Sequence, residues 1–390
     1  MPIGGGHSVI FCLHRQGKIA IWAAGKRPAK RGSGRKEWVA ETYLGRLSKP
    51  LMDTATAPSA APAAPAAGPT AAHSLIDARL SKIEDVARDT KLYTFQRLDG
   101  ARLPAYKPGA HIDLHLPNGL LRQFSLVVPA ENPDSYTVGV KRDENSRGGS
   151  RYIVEQMKVG DQIKISAPRN NFPLVENAAH VVLFAGGIGI TPIWCMAQEL
   201  AALGRSWKIH YACRSQADMA FLSELKKLDA KFVHLHFDDE AGGKVMDLAA
   251  AVAEAPAEAH FYCCGPNPML KAFEAAAAGR PKANVHVEYF TPKDDANAEG
   301  DLGGFWVELA KSGEEYFIPP GKKVLEVLFD AGVDVDYSCE LGICGACETK
   351  VISGIPVHHD SVLSEEEQAT NEKVMICCCG CKTERLVLDM

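Results

Sequence analysis

The densest chemistry in the sequence lies in YSCELGICGACETKV, where Cys339, Cys344 and Cys347 follow a C-x4-C-x2-C spacing. That spacing suits a [2Fe–2S] cluster, because four thiolates must converge on two irons and a loop has to wrap them. Gly342 and Gly345 give the loop the freedom to bring N–H groups toward the sulfurs. A zinc site built on the Cys344/Cys347 pair is the alternative, and it would make the region a non-catalytic binding module. The additional cysteine and the interleaved glycines favour iron. Downstream, VMICCCGCK places Cys377, Cys378, Cys379 and Cys381 within five positions, and buried thiols can equally be core filling.

Two further motifs suit a nucleotide. In LFAGGIGITP an apolar strand runs into Gly186, Gly187, Gly189, Thr191 and Pro192 ahead of a helical pattern, so a pyrophosphate could meet backbone N–H groups at the positive end of a helix. FYCCGPNPM ends another strand at Cys264, Gly265 and Pro266. In a parallel sheet both would lie at the carboxyl edge, where ligands bind. Upstream, RQFSL (Arg122 to Leu126) and GGSRY (Gly148 to Tyr152) offer an arginine for a phosphate and small residues that allow close approach.

The elements that carry these motifs fall into three textures. LYTFQRL, AHIDLHL, RQFSLVV and YTVGVKR alternate as antiparallel strands do and predict a small β-barrel over 75–175. HVVLFA, WKIHYACR and HFYCC, each followed by a helical stretch (PIWCMAQELAALG, FLSELKKLD, MLKAFEAAAAG), predict a parallel α/β domain over 176–292. The polar segment around 293–302 reads as a linker, and 303–390 as a compact third domain. Residues 1–50 carry ten Lys/Arg against two Asp/Glu, and an Ala/Pro-rich stretch follows Met52. Residues 1–74 therefore read as a disordered leader, or an upstream-misassigned start, with a linker.

Length and composition bound the rest. With 390 residues the chain has room for three cores, and a net charge of −5 argues against nucleic acid. There is no run of eighteen apolar residues and no convincing signal peptide, so no membrane partner is expected. Seven of the twelve cysteines lie in the last 52 residues, which fits cluster ligation in a reducing, cytoplasmic compartment better than disulfides.

YKPGAHIDLHLPNGLLRQFSL, GGSRY, GDQIKISAPRNNFPL, AGGIGITP, CGPNPM, VHVEYF and HHDSVLSEEE occur in an order that resembles the phthalate dioxygenase reductase family, over about four fifths of the chain. The resemblance implies an antiparallel flavin barrel, a parallel-sheet nucleotide domain and a C-terminal β-grasp ferredoxin domain of plant type. It implies FMN, NADH with NADPH held open, and a [2Fe–2S] cluster ligated by Cys339, Cys344, Cys347 and Cys377. Cys377 follows Cys347 by thirty positions and precedes L-V-L-D as in the family. Taking that stretch as extended, Cys378 is expected to face away, with Cys379 and Cys381 also bystanders.

Arg122, Phe124 and Ser125 look like the flavin motif, with Phe where Tyr is commoner, and Gly148, Gly149 and Ser150 resemble the loop for the flavin phosphate. Gly186, Gly187, Gly189 and Thr191 would approach the nucleotide, and Cys264 and Gly265 would lie near the nicotinamide. Glu288 and Phe290 match the end of the nucleotide domain. Ser125, Cys264 and Glu288 are the candidate catalytic residues. A hydride brings two electrons and a cluster takes one, so the flavin must stand between them. The implied acceptor is a Rieske-type terminal oxygenase, an aromatic-ring dioxygenase or a demethylating monooxygenase, with a cytochrome P450 as the alternative. Residues 303–390 carry sixteen Asp/Glu against seven Lys/Arg, an acidic surface on which a basic acceptor could dock.

Overall fold

The computed structural model describes residues 10–13, 19–22, 75–144, 148–292 and 304–390. Two units are distinguished, Met1–Ala72 and His73–Met390. In the first, Ile10–Leu13 pairs antiparallel with Ile19–Trp22. Apart from this hairpin, the expectations for a leader and linker over 1–74 and for a linker over 293–302 lie outside the described residues.

Within the second unit, six antiparallel strands form the first layer: Ile76–Ala87, Thr90–Arg97, His111–His115, Leu121–Ser125, Tyr136–Lys141 and Gln162–Ile165. The bridge between Leu126 and Val138 joins the two outermost strands and closes the sheet into a barrel, which leaves no open edge there. Alternation sends Leu80, Tyr93, Phe95, Ile112, Leu114, Tyr136 and Val138 into its core. The helix Gly149–Gln156 packs across one end and buries Ile153.

The second layer is a five-stranded parallel sheet. From edge to edge it runs Val233–Phe237, Trp207–Cys213, Val181–Gly186, His260–Cys264, Val285–Glu288. The central strand, VVLFAG, is buried at all six positions, which is why it reads as a continuous apolar run and not as an alternation. Helices Ile190–Ala202 and Asn267–Ala277 connect and cover the strands. FLSELKKLD keeps only one helical turn, Leu222–Leu225. Phe221 enters it at φ 59° and stacks its ring on Trp194, so packing overrides helix propensity. The strand Val233–Phe237 and the helix Leu248–Glu254, capped by Asp247 on the Ala250 N–H at 2.9 Å, were not anticipated.

The third layer is a β-grasp sheet in the order Glu315–Ile318, Phe305–Leu309, Arg385–Leu388, Glu348–Ser353, Lys373–Met375. Its central pair, Phe305–Leu309 and Arg385–Leu388, runs parallel. Helix Val324–Asp330 packs Val324, Leu325 and Leu328 into the core. Among the described residues no helix is long and apolar enough to cross a membrane.

Candidate active site and iron–sulfur centre

Strand register builds the nucleotide edge. Ala185 pairs with Cys264, and Cys264 pairs with Glu288, so three strands end side by side. The turn Gly187–Gly189 then leads directly into the helix beginning at Ile190. At Gly189 a β-carbon would lie 2.2 Å from the Cys264 carbonyl oxygen, so glycine is required for the two loops to pack. Gly186 and Gly265 meet across the same seam, 3.3 Å from the β-carbon position of Gly186 to the Gly265 Cα. Thr191 is buried, and its hydroxyl donates to the Ile188 carbonyl at 3.0 Å.

Cys264 is fully buried, with the Glu288 carboxyl beside its thiol. Burial pushes the thiol up, and the neighbouring Glu288 adds to this. Burial likewise raises Glu288 to about 8, with the adjacent Cys264 thiol pulling the other way. The residue keeps some exposure overall, but its Oε2 is enclosed without a partner, so the carboxyl itself is desolvated. At neutral pH the pair is therefore neutral. Phe290, two residues on, packs against the core cluster that contains Cys264.

On the barrel, the Arg122 side chain runs over the start of helix Gly149–Gln156. A β-carbon on Gly149 would lie 2.6 Å from Arg122 Cγ, so only glycine leaves this path open. Gly148 precedes the helix at φ 96°, and the Ser150 hydroxyl accepts from the Asp143 N–H at 3.3 Å. A guanidinium beside a helix N-terminus is a fitting site for a phosphate. Ser125 is buried opposite His111, and Phe124 packs on the barrel core.

The four expected cluster thiols are all buried. Cys339 lies beside Cys344 and Cys377. The Leu341 and Ile343 N–H groups point at Cys339 Sγ at 3.3 and 3.4 Å, and the Cys339 N–H at Cys344 Sγ at 3.4 Å. Cys347 joins through its carbonyl, which accepts from the Ile376 N–H, next to Cys377, at 3.4 Å. Buried thiols with backbone N–H donors aimed at Cys339 and Cys344 fit a [2Fe–2S] cluster.

One expectation is corrected. The run after Met375 is a turn, not an extended strand, because the Met375 carbonyl accepts from both Cys378 and Cys379 N–H at 3.1 Å. Alternation does not apply there, and Cys378 does not face away. Its thiol donates to the Met375 carbonyl at 3.7 Å and lies 2.5 Å from the β-carbon position of Gly342, in the cluster loop. Cys379 is in the ferredoxin core, and Cys381 bonds the Ile355 carbonyl at 3.5 Å.

Further contributors carried no signal of their own in the sequence. In HHDSVLSEEE, Asp360 is buried and accepts from the Val362 and Leu363 N–H groups at 3.0 and 2.7 Å. The adjacent Ser361 N–H donates to the Gly342 carbonyl at 2.8 Å, bracing the cluster loop. Arg169 is largely buried, which disfavours its charge, but it pairs with Asp113 at 2.7 Å, and that carboxylate keeps it protonated on the side near Cys344 and Cys339. Helix Glu365–Thr370 closes the motif with a Ser364/Glu367 capping box.

Nicotinamide delivers electrons in pairs and a cluster takes them singly, so a chain that joins a nucleotide sheet, a flavin barrel and a four-thiol loop is an electron-transfer reductase. Family models match in the same order: an oxidoreductase FAD-binding domain over 77–173, an oxidoreductase NAD-binding domain over 183–275 and a 2Fe–2S iron–sulfur cluster binding domain over 307–382. Tetrachlorobenzoquinone reductase of Sphingobium chlorophenolicum is 47% identical over 321 residues, 81% of this chain and 98% of that protein. Vanillate O-demethylase oxidoreductase of a Pseudomonas species is 41% identical over 319 residues, 81% of this chain and 100% of that one. The solved phthalate dioxygenase reductase, "a modular structure for electron transfer from pyridine nucleotides to [2Fe–2S]", aligns at a TM-score of 0.61 with 35% identity, covering 81% of this chain and 98% of its own.

The chain belongs to the phthalate dioxygenase reductase family. It is an NAD(P)H-dependent oxidoreductase with a flavin-binding, an NAD-binding and a 2Fe–2S cluster binding domain. The iron–sulfur family match sets the zinc module aside.

Two predictions follow from this geometry. Cys377→Ser is expected to abolish the visible absorption of the cluster, and Cys381→Ser to retain it. Cys378→Ser should keep the iron content but shift the EPR signal of the reduced protein. Glu288 gives a pH test. The native state holds its proton to about pH 8, whereas the unfolded chain releases it in the usual carboxylate range. The native state therefore binds the extra proton in between, and stability must fall as pH rises through that window and level off above it. In urea titrations of the apoprotein from pH 5 to 9, Glu288→Gln should flatten this fall.

Proposed function

We propose that the chain is the NADH-dependent reductase component of a Rieske-type terminal oxygenase that dioxygenates or demethylates an aromatic substrate in the cytoplasm. The observation that carries this reading is the placement of the cluster loop directly on the flavin barrel, where Asn171 Nδ2 donates to the Cys344 carbonyl at 2.8 Å. An electron reaching the barrel then has a short way onward to the ferredoxin domain. The relatives named for a demethylase and a dioxygenase support an oxygenase as the acceptor.

In this reading the bound FMN supplies the step from two-electron to one-electron chemistry. Arg122, with Gly148, Gly149 and Ser150, holds its phosphate, and Phe124 and Ser125 line its ring. Gly186, Gly187, Gly189, Thr191 and Gly265 hold the nucleotide against the sheet edge. Cys264 and Glu288 present a neutral, buried pair beside the nicotinamide, and Phe290 shields the flavin. Cys339, Cys344, Cys347 and Cys377 ligate the cluster.

NADH is favoured over NADPH by charge. Arg214 could meet a 2′-phosphate, but the adjacent strand end brings Asp238 and Asp239 beside it, with the Asp239 N–H donating to the Arg214 carbonyl at 3.0 Å. Two carboxylates there repel a phosphate.

The acceptor surface lies on the acidic ferredoxin domain, so its association with a basic partner should weaken as salt rises. Purified holoprotein should reduce a vanillate-demethylase-type oxygenase with NADH, with a higher kcat/KM for NADH than for NADPH and a rate that falls with ionic strength. Turnover of an aromatic substrate without a second protein would overturn the reading. So would rapid reduction of a benzoquinone together with no reduction of any Rieske oxygenase, which would place the chain beside its quinone-reductase relative.

A further inference from the structure

The ferredoxin domain does not merely follow the other two in sequence. Its cluster loop is held at several points, and two of them are side chains of the flavin barrel. Gln123 is the middle residue of the R-x-F-S stretch, flanked by Arg122 and Phe124. Strand alternation turns it to the side that Ser125 shares, opposite those two neighbours. There its amide hydrogen-bonds the hydroxyl of Ser338, the buried residue immediately before Cys339. Asn171, at the rim, donates to the carbonyl of Cys344 itself. It also lies 3.1 Å from the β-carbon position of Gly345. Between the two anchored cysteines, Ile343 packs against the apolar cluster of the nucleotide domain that contains Cys263 and Tyr289. At the periphery, Lys282 of the nucleotide domain pairs with Glu365 and Glu366 at 3.0 and 2.9 Å.

These contacts differ in what they can do. The lysine pair is fully solvated and of little consequence for position. Ile343 supplies apolar contact but no direction. The two amides are directional, and they tie the Ser338 hydroxyl, next to Cys339, to the flavin strand and the Cys344 carbonyl to the Arg169–Asn171 segment of the flavin barrel.

We propose that Gln123 and Asn171 are positioning residues for the transfer of electrons from flavin to cluster, fixing the Ser338–Cys344 side of the cluster loop against the flavin strand. Neither is a cluster ligand, and neither acts in hydride transfer. With both groups bound, one electron would pass from the reduced flavin to one ferric iron of the cluster, and the other would stay on the flavin until an external one-electron acceptor empties the cluster. The inference rests on the order NADH, flavin, cluster. Wild-type protein tests that order in the same experiment, so a failure of the order is told apart from a failure of the clamp.

The test is anaerobic rapid mixing of the holoprotein with NADH, following flavin bleaching and cluster reduction as separate phases. Gln123→Leu, Asn171→Ala and the double variant are compared with Asn171→Asp, which keeps the shape of the side chain but removes the N–H donor. Flavin bleaching should keep its wild-type rate, while cluster reduction slows by about tenfold or more in the double variant, as expected for lost orientation. Asn171→Asp should behave as Asn171→Ala. In the uncharged variants Gln123→Leu, Asn171→Ala and their combination, the cluster's midpoint potential and EPR signal should stay as in wild type. Hydrogen exchange of the amides from Ser338 to Cys347 should quicken in the apoprotein too, a readout independent of turnover. Unchanged cluster reduction in the double variant overturns the proposal. Loss of the cluster, or equal slowing of both phases, overturns it as well, because the amides would then build the loop or the barrel instead of aligning the two.

Discussion

A hydride arrives with two electrons and an iron–sulfur cluster leaves with one, so the reacting sites must be held close and at fixed orientation. The molecule meets this constraint with a junction of three cores. The barrel and the nucleotide sheet are joined by Arg88 on Asp218 at 2.8 Å and by the Gln198 amide on the Val127 carbonyl at 2.9 Å. Thr191 sits where a β-carbon on barrel residue Gly139 would collide at 2.6 Å. A bond such as Arg88 to Asp218 is exposed and contributes little alone. At Gly139 the Thr191 methyl instead sits directly on the barrel backbone, which only glycine allows.

The same constraint accounts for the burial of polar groups that a stable fold would otherwise avoid. Asp113 and Arg169 form an ion pair nearly out of solvent, and His111 beside them is lowered to about 4 by burial and by the Arg169 charge. Such pairs contribute little net stability, because desolvation offsets much of the attraction. Here the pair keeps a cation facing Cys339 and Cys344, which lowers the electrostatic cost of adding an electron at that site. Glu288 and Cys264 show the opposite treatment, two ionisable groups held neutral by burial. One crevice thus keeps fixed charge near the cluster and excludes it near the nucleotide.

Much of this architecture can be read from the residues, for physical reasons that differ by element. LYTFQRL announces its strand because Tyr93 and Phe95 are buried while their neighbours are less so. VVLFAGG announces a buried parallel strand and a ligand turn because burial on both faces admits only apolar residues and the turn demands glycine. The adjacency of Cys264 and Glu288 is a different matter. Twenty-four positions separate them, and only the register between two parallel strands pairs them. No local pattern encodes a register set by the packing of a third strand.

The cysteine run shows where sequence rules mislead. Period-two alternation holds only while the backbone is extended, and VMICCCGCK is extended to Met375 and again only at Gly380–Cys381. Beyond it the Met375 carbonyl collects two N–H groups and the chain turns, which brings Cys378 back beside Cys377. A turn is needed because Leu325 N–H claims the Ile376 carbonyl while Ile376 N–H is given to Cys347, so the chain is pinned to both the helix start and the cluster loop at a single residue. Held at Ile376, the backbone cannot continue its ladder and must reverse. The position of the last ligand is therefore set by hydrogen bonds made by its neighbour, and the extra thiol at the cluster is a consequence of that reversal.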